Sequence, residues 1–511
     1  MICLPDPLPD PYDELRDVAE FLLAANRRQA VELKAKTVEI EALKFELARL
    51  RRWRFGASAE RFDPNQPGLF EEDLEADLGA TETRQALAEV ALPGKAPRRR
   101  PRRQLLPAHL PRIEHRHELE NCTCGACGQA LTVIGETISE QLDVIPAQFF
   151  VHRHIRPQYA CRHCDTVTAV PPPPQVIDQG LPAPGLLAHI LVSKYADHLP
   201  LYRQAVMYAR QGVFIPRSTQ AGWVGACAVL LEPLVERLRV HVLAESYLQA
   251  DETRLPVLAP GTGKTHTGYL WVYRTGPWST LQAVVFDYAE GRGQTWPKAF
   301  LDGFQGTLQI DGYAGYNAVL AQDGIVEAGC WAHVRREFFD VFKATRSPVA
   351  AEALRRIRTL YEIEADVKEL TPEARASQRQ ARAESHLTEF KTWLDDTLLK
   401  LPPGSSLAKA IGYALGRWAA LRVYLQDGRI NIDSNPVERA LRGVALGRRN
   451  YLFAGSDGGG RRAALSYSLI ETCKLNGVEP YAYLKDVLTR LPTLKARDLD
   501  TLLPWRWRPG P

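Results

Sequence analysis

The chain has 511 residues, 45% of them hydrophobic and 24% charged, with 64 Lys and Arg against 60 Asp and Glu. That composition fits a globular protein of about three or four domains, at roughly 100–200 residues each, and excludes wholesale disorder or a fibrous repeat. A net charge of only +4 leaves any nucleic-acid affinity to local basic patches.

No apolar run reaches the roughly 18 residues of a membrane span. The start, MICLPDPLPDPYDEL, has prolines and acids where a signal peptide has a basic end and an apolar core. A cytoplasmic location is expected. Four of the nine cysteines form two CxxC pairs, which in a reducing compartment favours metal over disulfide.

Residues 13–51 read as one helix free of Gly and Pro. Leu33, Ile40, Leu43, Leu47 and Leu50 keep a spacing of three and four, interrupted by Lys36, and Leu15, Ala19, Leu22, Asn26 and Gln29 extend it backward. The length, the charge between seam positions and the polar Asn26 point to a coiled coil over 13–62 that pairs subunits. The alternative is an amphipathic helix docked on its own domain. Residues 63–116 read as an acidic tether followed by a basic arm. Arg98, Arg99, Arg100, Arg102 and Arg103 lie around Pro97 and Pro101, which hold the segment extended. With Arg51, Arg52 and Arg54 around Trp53, these are candidate phosphate contacts, against the reading of a solvated linker.

Residues 117–170 form a zinc-binding domain. Cys124-x2-Cys127 and Cys161-x2-Cys164 each have the reach of a zinc knuckle, and four thiolates fill a tetrahedral ion, so its role is structural. Gly125 and Gly128 allow the tight turns. Residues 140–144 and Phe149–Arg156 supply ribbon strands, and Cys122 and His163 stand by as alternative ligands.

Pro171–Pro174 mark a stiff boundary. Residues 175–245 read as helical, and the break at Gly212–Pro216 gives a weak helix-turn-helix outline that makes them a candidate DNA-binding region, against the commoner reading of a packing pair. Residues 246–331 alternate strands and helices. Strands are expected at 247–250 ending at Asp251, at 268–274, at 280–287, at 308–310 ending at Asp311, and at 325–330, with helices at 293–302 and 313–320. Residues 332–430 are helical. Within 431–464, Pro436 opens a helix after the cap region Asp433–Asn435 and carries Glu438 just inside. Residues 465–495 form a C-terminal helical domain, and the last dozen residues are expected to fray. The fold class is therefore multidomain: helix or coiled coil, zinc ribbon, helical DNA-binding region, and an α/β core with a helical insertion.

Gly261–Thr265 imitates a nucleotide-binding loop, but the first Gly of that motif would fall on Leu258, and a strand follows instead of a helix. A hairpin turn and no ATP site are expected. Asp251 and Asp311 follow short apolar strands, and Glu438 begins a helix. If the two strands are neighbours, three carboxylates converge, a donor set suited to paired Mg²⁺ ions. Each acid alone reads as a solvated end, and Glu438 could simply pair with Arg442 one turn on. Asp433 is the substitute for Glu438.

The motifs together resemble a bacterial transposase of the insertion sequence 66 family, a DDE-type enzyme with an RNase H-like core. The strings are FGASAE (55–60), EQLDVIP (140–146), SKYADHLPLYR (193–203), DET (251–253), IDGYAGYN (310–317), CWAHVRR (330–336) and NPVERALRGVALGRRNYLFAGS (435–456), so the resemblance spans about 13 to 490. It implies Asp251, Asp311 and Glu438 as the catalytic acids, holding two Mg²⁺ or Mn²⁺ ions, beside one structural Zn²⁺. The separation 438 − 311 = 127 implies a helical insertion in the core. Cys330-x2-His333 looks like a CxxH element of such transposases; packing of the insertion is the preferred reading. Ser434 and Gly443 depart from the Asn and Pro that family members often carry. The implied function is cleavage and strand transfer at terminal inverted repeats. The implied partners are double-stranded DNA at the element ends and the target, a second subunit, and small accessory proteins of the same element. The alternatives are an inactive zinc-ribbon DNA-binding regulator or a simple metal-dependent nuclease.

Overall fold

The computed structural model describes residues Leu110 to Gly510, apart from Glu120, Asn121, Gly125, Pro146, Ala147, Asp178, Gln179, Pro260, Gly261 and Gly263, and only isolated positions before Leu110. The coiled-coil expectation, nearly all of the tether and arm before Leu110, and the candidate DNA contacts Arg51, Arg52, Arg54, Arg98, Arg99, Arg100, Arg102 and Arg103 lie outside the described residues.

The first sheet is built on a long antiparallel pair, β2 (Thr132–Ile145) and β3 (Gln148–Ala160), in register from Thr132 opposite Ala160 to Ile145 opposite Gln148. β1 (Arg112–Arg116) runs parallel to β3 on its other side, and β4 (Val167–Ala169) pairs antiparallel with the end of β3. β1 corrects the sequence reading, which gave these residues to the tether. Its alternating Arg112, Glu114 and Arg116 reach acids and bases across the sheet, as in the ion pairs Arg112–Glu140 and Arg153–Glu114. Four histidines stack in a column between β1 and β3. His115 and His152 approach at 2.8 Å and His117 and His154 at 3.0 Å, while His152 Nε2 reaches Asp143 at 2.8 Å. Burial lowers His154 to about 4 and also lowers His115, with the neighbouring imidazoles adding to both.

Pro171–Pro174 do not separate this sheet from the helices after it. Leu142 exchanges backbone hydrogen bonds with Leu181 and Ala183, at 2.7 and 2.8 Å, and Leu142, Val144, Phe149 and Val151 belong to the main hydrophobic core. The apolar ends of β2 and β3 are buried against α1 (Pro184–Tyr195), which overrides the proline boundary.

The second sheet contains β5 (Tyr247–Ala259), β6 (Lys264–Thr275), β7 (Val284–Ala289), β8 (Gly306–Gln309) and β9 (Ile325–Ala328), in the order β7-β6-β5-β8-β9. β7, β6 and β5 are antiparallel; β5, β8 and β9 are parallel. α4 (Thr295–Phe300) and the short α5 (Asn317–Leu320) lie in the connections. Strand β5 is longer than expected. Its pairing with β8 stops at Gln249, but its pairing with β6 continues to Ala259, so Asp251 lies inside the strand, not at its end. Ala259 opposite Lys264 closes a hairpin over the imitation nucleotide loop, with a strand on each side.

The expected helix-turn-helix pair is α2 (Leu201–Ala209) and α3 (Arg217–Leu243). α3 is no free-standing recognition helix: Leu231, Leu234, Leu238 and Val242 are fully buried as it packs against β7 and α12 (Asp457–Leu475). Ser468 and Thr472 of α12 accept the amides of Phe286 and Val284, occupying the open edge of β7.

The insertion is a helical body with its own core of Trp331, Phe338, Leu360, Phe390 and Trp418. Its helices are α6 (Trp331–Thr345), α7 (Pro348–Val367), α8 (Pro372–Leu398), α9 (Ser406–Gly416) and α10 (Trp418–Arg422). Ser347, Thr371 and Ser405 cap α7, α8 and α9, and Pro348 and Pro372 take first-turn positions that need no amide. Buried Arg375 and Arg379 on α8 donate to carbonyls of the 424–430 segment, tying the insertion to the chain that leads into α11 (Asn435–Tyr451).

The tail does not fray. Leu502 and Leu503 are fully buried beside α13 (Pro480–Arg490), Trp507 donates to Asp486, and Asp500 holds Arg237 and His241 of α3. Among the described residues no helix is long and apolar enough to cross a membrane.

Candidate active site and zinc centre

Two backbone knuckles meet at the far end of the first sheet. Cys124 and Gly128 close the first through Gly128 N to Cys124 O, 2.8 Å, with Gly128 at φ +74°. The second closes through Asp165 N to Cys161 O, 2.9 Å, and here Asp165 takes the left-handed conformation. The sulfurs of Cys124 and Cys164 lie 3.4 Å apart, as do those of Cys127 and Cys161. These separations are far too long for disulfides and close to the edge, about 3.8 Å, of a tetrahedron with 2.3 Å metal–sulfur bonds. The Thr166 hydroxyl holds the Cys164 thiol down at about 6, which favours the thiolate a metal needs. Among the described residues, only these four bring ligand atoms together within 4.8 Å as a cluster of His, Cys, Asp or Glu. Cys122 and His163 lie outside it.

The acids assemble differently. Gln249 and Gln309 face each other in the parallel register of β5 and β8, and Asp251 and Asp311 each follow two residues later. Gly312 has a φ of +97° and lies against the Arg417 guanidinium, so the turn after Asp311 excludes a side chain. The Tyr413 hydroxyl, from the insertion, donates to the Asp311 carbonyl. Burial pushes the Asp251 carboxyl up to about 8, and the charges of Asp311, Glu252 and Glu438 add to the effect. The sequence-distant Glu438 is therefore close enough to act on the Asp251 carboxyl. Its Oε1 is buried with no hydrogen-bond partner, and His333 Nε2 and Arg336 Nη2 stand 3.7 and 3.5 Å from the carboxylate. The alternative pairing of Glu438 with Arg442 one turn on is not formed among the described ion pairs.

The Cys330 and His333 side chains face different partners. The buried Cys330 sulfur accepts from the amide and hydroxyl of Ser434, the residue that departs from the family pattern. Asp433 accepts from Tyr361 and Asn435, so its carboxylate is engaged away from the other acids.

A model of the Transposase IS66 family matches residues 179–462, more than half of the chain. The chain belongs to this family. A model of the zinc-finger binding domain of transposase IS66 matches 121–165, the IS66 C-terminal element matches 468–505, and the Transposase C of IS166 homeodomain matches 42–114. Uncharacterized protein y4jD of Sinorhizobium fredii is 39% identical over 91% of this chain and 94% of its own length. Uncharacterized protein y4qI of the same organism is 38% identical over 98% of each. The protein is thus an insertion-sequence transposase, a nucleotidyl-transfer enzyme with DNA as its partner, and its four-cysteine cluster is the zinc-finger site.

Sequence reasoning missed what holds the transposase's acids in place. Gln309 accepts from Tyr247 Oη at 2.6 Å and Gln249 Nε2 at 2.8 Å, and donates to the carbonyls of Gly329 and Asn431 at 2.9 and 2.8 Å. Gln249 also donates to Asp433 O, and Tyr247 accepts from Asn431 N. This fully buried network hangs the entrance of α11, and with it Glu438, across the sheet. The residue types carry the only signal: two Gln inside apolar strands need partners. Beside Asp251, the buried Glu252 pairs with Arg292 at 2.5 Å, and the Arg292 guanidinium lies 3.7 Å above the Tyr313 ring.

Proposed function

We propose that the transposase is a DDE-type enzyme on an RNase H-like core, in which Asp251, Asp311 and Glu438 hold two divalent ions, Mg²⁺ or Mn²⁺. The observation that carries this reading is the buried Asp251 carboxyl, pushed up to about 8 beside Asp311 and Glu438, with Glu438 Oε1 left unsatisfied. Such a cluster is costly without cations, and carboxylate oxygens are the donors hard cations prefer. The sheet order supports the core assignment: three antiparallel strands extended by two parallel ones, with Asp251 inside β5 and Asp311 two residues beyond the end of its parallel neighbour β8.

Bound there, the ions supply activation of the attacking oxygen and stabilisation of the leaving one. The chain supplies the geometry. Asp251 is fixed within β5, Asp311 in the turn after β8 by the Tyr313 amide and the Tyr413 hydroxyl, and Glu438 by a helix whose entrance is pinned to the same sheet. Cys330 and His333 are positioning residues: one anchors Ser434 at the start of α11, and the other faces Glu438. Water cleaves the DNA at each element end, and the exposed 3′-hydroxyl attacks the target phosphodiester in line, with no covalent enzyme intermediate.

The zinc finger, the outer surface of the 175–245 helices and the arginine arm bind the terminal inverted repeats. The N-terminal helix pairs two subunits, because two ends must be held together. The reaction takes place in the cytoplasm, with small accessory proteins of the element as further partners.

The test is a cleavage and joining assay with purified protein, Mg²⁺ and DNA carrying the element's own ends. Asp251→Ala, Asp311→Ala and Glu438→Ala should each lower both steps by roughly a thousandfold or more while end binding persists. Retained activity in any one variant removes that residue from the site. Cleavage without joining by the wild type makes it a nuclease, and binding without cleavage makes it a regulator.

A further inference from the structure

A cleft of about 710 Å³ opens between α6 and α7, on the outer side of the insertion. Arg335, Arg336 and Phe339 form one wall, Arg358 and Tyr361 the other, and Asn435 the floor. The spacing explains the wall. On α6, Val334, Phe338 and Val341 are buried in the insertion core, which leaves Arg335, Arg336 and Phe339 on the outward face. The floor is rigid, because Tyr361 and Asn435 both bind the Asp433 carboxylate, at 2.9 and 2.7 Å.

The cleft adjoins Glu438. Arg336 in its wall stands 3.5 Å from Glu438, and Asn435 opens the helix that carries Glu438. Its chemistry is one-sided: guanidinium groups line it and no carboxylate does. Neither Arg335 nor Arg358 has an ion-pair partner among the described residues, although elsewhere in the insertion arginines such as Arg355, Arg379 and Arg382 are paired. Phe339 is 42% exposed, with Arg335 5.6 Å above its ring. The two unpaired guanidinium groups, Arg335 and Arg358, attract a polyanion, and an exposed aromatic side chain in the same concavity gives a flat ring something to stack on. Bases inside a duplex are stacked on each other and cannot offer their faces to Phe339.

We propose that this cleft holds an unpaired nucleotide of the DNA strand next to the phosphodiester at the carboxylates. The base stacks on Phe339, and Arg335 and Arg358 hold the flanking phosphates. The proposal rests on the transposase reading above and adds a local opening of the duplex at the cut site. Stacking is tolerant of base identity, so the cleft favours unpaired over paired DNA and selects little by sequence.

The experiment uses the full chain and two forms of one terminal-repeat duplex: fully paired, and carrying unpaired nucleotides at the cleavage position. Binding is measured without divalent ion and cleavage with Mg²⁺, for wild type, Phe339→Ala, Phe339→Leu and the double variant R335A/R358A. Phe339 is exposed, so its replacements keep the fold; zinc content and thermal midpoint check this. The wild type should prefer the unpaired form. Both Phe339 variants should lose that preference by about tenfold and cleave paired DNA more slowly than DNA opened in advance. R335A/R358A should weaken binding to both forms and flatten the salt dependence. Equal binding of both forms by the wild type, or an unchanged preference in both Phe339 variants, overturns the proposal. If the arginine variant alone has an effect, the cleft grips duplex backbone and the stacking claim fails. If the wild type cleaves no end DNA at all, it is the transposase reading that fails, which separates the two outcomes.

Discussion

The four thiols and the three carboxylates are assembled in opposite ways. Each pair of thiols comes from a stretch of four residues, Cys124–Cys127 and Cys161–Cys164, and the backbone of each stretch is closed by its own turn. The only long-range requirement is that β2 and β3 bring the two knuckles together. The carboxylates span 187 residues (438 − 251) and come from two strands and a helix separated by a whole helical body. Their arrangement depends on Gln249, Gln309, Tyr247, Asn431 and Tyr413, none of which carries the chemistry. A site closed on itself stabilises the fold around it. A site left open, with a like-charged buried carboxyl and an unsatisfied oxygen, draws on the fold for its stability.

That contrast predicts different failures. Removing one thiol should have the largest effect on structure. Cys127→Ser should lose the single zinc and unfold the first sheet locally, because binding free energy on the order of 10 kcal/mol is coupled to folding there. Zinc content and hydrogen exchange across 112–169 measure this. Unchanged zinc content would refute the four-cysteine assignment. The acidic region should stay folded in the same variant, except where Leu142 and Val144 join the main core.

Disturbing the scaffold of the acids should damage chemistry more than structure. Gln309→Leu keeps the volume but strands the partners of Gln309, at about 1–3 kcal/mol for each unpaired buried group. Misplacement of Glu438 by a fraction of an ångström should slow single-turnover cleavage by roughly 10–100-fold, with zinc content and end binding unchanged. A wild-type rate in Gln309→Leu would mean that Glu438 is positioned by α11 packing alone.

How much of each site the sequence reveals depends on the same contrast. The CxxC spacing is a local code, so the zinc ligands could be read directly, and the exclusion of Cys122 and His163 needed only the geometry of the knuckles. Alternation and apolar runs placed β6 to β9 to within a few residues, and found only the last part of β2. They could not show that β5 outruns its pairing with β8, because strand length depends on the partner, and Asp251 reads as a strand end only from one side. The tail was misread for a related reason: Leu502, Leu503 and Trp507 are apolar residues without periodicity, and their burial is decided by α3 and α13. The polar scaffold was invisible because a glutamine in a strand announces a need for partners but not their identity. The column of His115, His117, His152 and His154 escaped notice because the two strands that build it are not adjacent in sequence.

The histidine column provides the smallest effect and a check on the first sheet. His154 titrates near 4 in the fold against about 6.5 in an unfolded chain. Its folded-state pKa is depressed, so the unfolded state binds the extra proton between those values. Stability is therefore fully present above about pH 6.5 and falls as the pH drops toward 4. His115, also lowered by burial, acts in the same direction; Asp143, Arg156 and the other imidazoles are the charged or titratable neighbours. His154→Gln should flatten the decline in first-sheet stability between pH 6.5 and 5, while thiol protonation and zinc loss remain common to both proteins. An identical pH profile would show that the column is neutral in its effect.

The central claim is that three distant carboxylates form one two-ion site. It is tested most directly by anomalous diffraction at the manganese edge from the full chain bound to its own end DNA with Mn²⁺. Two peaks about 4 Å apart, ligated by Asp251, Asp311 and Glu438, are expected. Peaks at Cys330 and His333 instead, or none beside ordered DNA, would contradict it.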